Sequence, residues 1–208
     1  MTERIDDTYT IPMTTGEAEV RVLGSRFLAT AAPVTSFAEA DAIITATRKQ
    51  FHDSTHVVSA IVIGHGSDRR ERYSDDGEPS GTGGRPILSE IERADLVHVL
   101  VTVTRWFGGK KLGTGRLARA YAQAAEEALA QCRRAIKRPM ARFQLQFSYK
   151  LEKMVMRTLD EVNGLVAASE FSGQVVLSVR VPRSSVQCFQ DLVTERSAGQ
   201  IYCELIEE

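Results

Sequence analysis

The chain has 208 residues, 43% hydrophobic and 25% charged, with a net charge of −1. That length holds one large domain or two modest ones, and the balance excludes binding to nucleic acid through the charge of the whole molecule. Cys132, Cys188 and Cys203 are far apart and form no CxxC pair, which argues against a disulfide framework or a zinc site. No apolar run approaches the roughly 20 residues that span a bilayer. The start, MTERIDDTYT, lacks a signal-peptide pattern, so a soluble cytoplasmic protein is expected.

After a polar leader, GEAEVRVLGSRFLATAAPV reads as two strands hinged at Gly24-Ser25. SFAEADAIITATRKQFHD follows as a helix, with Ser36 as N-cap and Glu39 three residues on in a capping-box pattern. HVVSAIVIG is a buried strand, HGSDRRERYSDDGEP a polar loop, RPILSEIERAD a short helix and LVHVLVTV a strand. A long helix from Thr114 carries Leu117, Tyr121, Ala124, Ala128 and Cys132 on one face, which turns Arg116 and Arg119 outward. IKRPMA, with Pro139, breaks the pattern and divides the chain into domains 1–138 and 139–208. The second domain reads β-α-β-β-α-β, the split-βαβ, ferredoxin-like order, and the fold class is α+β.

Two glycine-rich loops concentrate the chemistry. In SDDGEPSGTGGRPIL the carboxylates Asp75, Asp76 and Glu78 lie beside Gly77, Ser80, Gly81, Thr82, Gly83, Gly84 and Arg85. Glycines let a backbone approach a ligand, and N–H groups ahead of a helix suit an anion. A structural turn with carboxylates capping N–H groups is the competing reading. The loop lacks the lysine of a Walker A motif, and GTGRLA starts too far past its strand for a dinucleotide fingerprint. The three carboxylates offer a magnesium ion only a weak donor set. His52 and His56 lack the HExxH pattern, and Ser80 and Thr82 have no base nearby in sequence. No catalytic residue, metal or cofactor is assigned, and the chain leans away from being an enzyme.

The second loop, TRWFGGKKLGTGRLARAY, is basic and aromatic. Between Arg105 and Arg138 lie nine Lys or Arg and two acidic residues. Arg105, Lys110, Lys111, Arg116 and Arg119 are candidates for phosphates and Trp106 for stacking on an unpaired base, with Phe107 open between core and surface. Gly108, Gly109, Gly113 and Gly115 would let the polymer approach.

Together DDGEPSGTGGRPIL and TRWFGGKKLGTGRLARAY resemble the YigZ/IMPACT family, and the two-domain layout is similar to its bacterial members over essentially the whole chain. Gly83 stands where the family usually has alanine, Trp106 for a tyrosine and Arg116 for a glycine. The resemblance implies a first domain with the fold of elongation factor G domain IV, a small-subunit ribosomal protein domain and the GHMP kinases. It implies a ferredoxin-like second domain. It also implies an RNA- or ribosome-binding, translation-associated regulator. The alternative is a small-molecule enzyme that binds a phosphorylated ligand at DDGEPSGTGGR. The extra N-terminal interaction domain of eukaryotic members is expected to be absent, so their kinase-pathway partners are not carried over.

Overall fold

Alternating small and branched apolar residues in SRFLATAAP, HVVSAIVI and VLVTVTRW make the strands around which the first of two units is built. The computed structural model describes residues 8–207 and forms two compact units, Tyr9–Lys137 and Arg138 onward. The leader at residues 1–7 lies outside the described residues.

In chain order the first unit contains β1 (Tyr9–Pro12), β2 (Gly16–Val22), β3 (Ser25–Pro33), α1 (Phe37–Gln50), β4 (His56–Ile63), β5 (Arg70–Ser74), α2 (Gly84–Arg93), β6 (Val99–Trp106), α3 (Thr114–Gln131) and β7 (Arg134–Lys137). A five-stranded antiparallel sheet runs β2-β3-β6-β4-β5. Alternate residues on one face, among them Phe27, Val58, Ala60, Val101 and Val103, pack under α2 and α3. The other face packs Ile61 and Leu100 under Ala40 and Ile44 of α1. Ser36 caps α1 through Oγ, accepting from Glu39 N–H at 3.2 Å. Glu39 answers by accepting from the N–H of Thr35 rather than that of Ser36.

Three strands were not legible as strands in the sequence. β5 lies inside the expected polar loop, and all five of its residues are exposed. β1 and β7 pair as a separate ribbon, Tyr9 opposite Lys137, in stretches read as leader and linker. Tyr9 and Ile11 of β1 also pack against the core, whereas β5 and β7 are too short and polar to show a hydropathy pattern.

The second unit contains β8 (Met140–Phe147), α4 (Glu152–Glu161), β9 (Leu165–Ser172), β10 (Gln174–Pro182), α5 (Val186–Ser197) and β11 (Tyr202–Glu207). Its antiparallel sheet runs β11-β8-β10-β9. Phe143 and Leu145 of β8, Val175, Leu177 and Val179 of β10, and the helix residues Val155 and Phe189 form its core. The opposite face of this sheet carries polar residues such as Gln144 and Gln146. Both units are mixed α and β with antiparallel sheets, so the chain is α+β. Among the described residues no helix is long and apolar enough to cross a membrane.

Candidate functional site

β5 and β6 both run antiparallel to β4 and therefore run the same way. The loops that follow them, 75–83 and 107–113, leave the sheet at one end, and each opens into a helix on the same face, α2 or α3. The pairing of His56 with Arg105 brings the start of β4 to that end as well.

The acidic loop is held by its own carboxylates. Asp75 accepts from the N–H groups of Gly81 at 2.8 Å, Gly83 at 2.9 Å and Gly84 at 2.8 Å, and so occupies the first N–H groups of α2. Burial works to raise the Asp75 pKa, but the three donors together outweigh it and hold the group below its ordinary value. Asp76 pairs with Arg48 at 2.6 Å and accepts from Val57 N–H at 2.7 Å. Thr82 is buried and donates to the Pro79 carbonyl at 2.6 Å. Gly77, Ser80, Gly81 and Arg85 are exposed, whereas Gly83 and Gly84 are buried against Val58 and Ser74. Among the described residues no group of three or more His, Cys, Asp or Glu is placed to hold a metal.

Glu78 points inward. Its Oε1 accepts from Arg105 at 2.5 Å and from the Tyr121 hydroxyl at 2.6 Å, while Oε2 lies 3.8 Å from His56 Nε2. Burial, followed by the bond to Glu78, pushes the Tyr121 pKa far above its ordinary value. His56 Nδ1 lies 2.7 Å from the Asp76 carbonyl. A carbonyl only accepts, so that nitrogen carries the proton. Arg105 is 5% exposed, its Nη2 reaches Ser25 Oγ at 3.4 Å, and its buried Nε has no hydrogen-bond partner among the described residues. The sequence expectation placed Arg105 on a phosphate-binding surface; the structure places it in the interior as the partner of Glu78.

Trp106 is also engaged. Its Nε1–H donates to Asp53 at 3.0 Å, Phe51 meets it edge-on, and the Arg26 guanidinium lies 4.5 Å from its ring centroid. Phe107 is 45% exposed. Gly108 packs so closely on Gly24 that a side-chain carbon there would overlap its backbone, so this glycine serves the fold. Gly109 and Gly113 have positive φ and face open space.

Lys110 and Lys111 in the loop and Arg116 and Arg119 in the first turns of α3 are all exposed. Arg119 donates to the Gly115 carbonyl at 3.0 Å. Among the described residues no ion pair holds any of these four. Arg21, Arg26, Arg48, Arg69 and Arg72, by contrast, each have a carboxylate partner. Sequence reasoning missed Ser25, His56 and Tyr121 as members of the buried polar cluster. The period-two pattern of β6, which puts Arg105 on the face of Val101 and Val103, carried part of that signal.

The Impact N-terminal domain family matches residues 23–129, and a domain of unknown function, DUF1949, matches residues 145–200. The chain is 29% identical to "IMPACT family member YigZ" of Escherichia coli (strain K12), over 97% of this chain and 100% of that protein. It is 32% identical to "IMPACT family member YvyE" of Bacillus subtilis (strain 168), over 89% of this chain and 85% of that one. A solved structure titled "Crystal structure of an hypothetical protein" is similar with a TM-score of 0.67 and 29% identity, covering 97% of this chain and 98% of its own. The domain match over the first unit and the full-length relatives agree: the chain belongs to the IMPACT family.

Proposed function

We propose that the chain is a cytoplasmic RNA- or ribosome-binding protein that acts as a translation-associated regulator. On this reading the first unit has the fold shared with elongation factor G domain IV, and the second is ferredoxin-like. The observation that carries the proposal is the clustering of four exposed cations without an ion pair among the described residues, Lys110, Lys111, Arg116 and Arg119, on one loop and helix start, whereas Arg21, Arg26, Arg48, Arg69 and Arg72 are each paired with a carboxylate. Unmatched cations draw in phosphates and release their counterions. Phe107, half exposed beside them, is the ring available to an unpaired base.

The test is capture of RNA and ribosomal particles on the purified chain at low and moderate salt. Recovery that falls steeply with salt supports the reading, and no recovery at low salt overturns it. A small-molecule enzyme that binds a phosphorylated ligand is the second reading. It is favoured by the approach of His56 to Glu78 and by the Nε of Arg105 beside the acidic loop, buried without a hydrogen-bond partner among the described residues.

A further inference from the structure

We propose that the bare edge of β9 is the interface of a homodimer, in which two copies pair β9 against β9 antiparallel and join their sheets across a two-fold axis. Among the described residues β9 is hydrogen-bonded to β10 on one side only, and all eight of its residues are exposed. Leu165 is 55%, Val166 41% and Phe171 56% exposed. Natural edge strands are protected by charge, proline or brevity. β2 carries Glu17, Glu19 and Arg21, and β5 carries Arg70, Glu71 and Arg72, but LVAASEFS has Glu170 as its one charge.

The register against β10 selects how two copies fit. Phe171 and Ser169 lie opposite Val175 and Leu177 on the core face, and after an irregularity at Ala167 so does Val166, opposite Val179. Glu170 and Leu165 lie on the other face, opposite Val176 and Arg180. Faces agree when Leu165 of one copy meets Glu170 of the other and Val166 meets Ser169. Phe171 then falls over Gly164 of the second copy, an aromatic ring across from a residue without a side chain. Glu170 comes to lie two strands from Arg180 of the second copy, about 10 Å between Cα atoms, within reach of their long side chains. The two-fold axis makes that charge pair twice. Charge complementarity therefore favours a second copy over an unrelated strand.

The test is sedimentation velocity of the full chain across about 1–100 µM. A concentration-dependent dimer is expected. Glu170→Arg and Arg180→Glu should each weaken it about tenfold, and the double variant should recover it, because the reversed charges again attract. Val166→Lys should disperse the dimer with thermal stability unchanged. A chain that stays monomeric throughout overturns the proposal, as does a dimer indifferent to all these variants. A monomer whose β9 edge takes up an added peptide overturns it too. RNA binding by the basic loop is measured separately and does not bear on the outcome.

Discussion

Glu78 and Arg105, 27 positions apart, meet at 2.5 Å in the interior of the first unit and tie the acidic loop to the end of the central strand. Tyr121 completes the tie from α3. The pair joins the acidic loop to the strand that leads into the basic loop through side chains buried in the unit.

Removing one member of this pair leaves a buried charge without its partner, which costs about 3–5 kcal/mol. Arg105→Ala and Glu78→Ala should each show a loss of that size in urea unfolding. Arg105→Leu should lose less stability from stranded charge only if Glu78 is replaced too, so the double variant Glu78→Gln/Arg105→Leu should be more stable than either alanine variant. Equal stability of all these variants and the parent would contradict the buried tie.

The surface cations predict the opposite pattern. Lys110→Ala, Lys111→Ala and Arg116→Ala should each melt as the parent does, yet lower the log–log salt slope of single-stranded RNA binding by about 0.7. Folded variants that bind RNA like the parent at every salt concentration would remove this loop from the RNA site.

Asp75 gives a pH signature. Its pKa is lower folded than unfolded, so its contribution is present at neutral pH and is lost as pH falls through the folded value. Asp75→Ala should cost about 1–2 kcal/mol near pH 7, in line with loss of an N-cap. The gap between parent and variant should close in strong acid. Chemical unfolding at a series of pH values reads it directly.

The second unit has its own core and a complete ladder, closed by Arg183 N–H donating to the Pro139 carbonyl at 3.1 Å. A fragment from Arg138 to Glu208 should unfold in one cooperative transition by circular dichroism. A fragment without a transition in the same buffer would contradict that boundary.

The strongly periodic elements were legible because burial writes a pattern. Leu117, Tyr121, Ala124 and Ala128 mark α3 at helical spacing, and β8 and β10 of the second unit alternate buried with more exposed residues. β5 escaped because RERYS buries none of its side chains and is held by backbone bonds to β4. Arg105 was misplaced for a related reason: a cation next to glycines suggests a surface, and its partner Glu78 is remote in sequence. Long-range pairing of polar groups leaves no local periodicity to read.

The β1–β7 ribbon has a mechanical consequence. Tyr9 and Lys137, where the chain enters and leaves the first unit, are direct partners about 5 Å apart. Tension applied at those two points peels the ribbon open one residue pair at a time, from Tyr9–Lys137 toward Pro12–Arg134. The Thr10 carbonyl also accepts from Val97 N–H at 3.0 Å, so the load reaches the segment leading into β6 as soon as the ribbon begins to open.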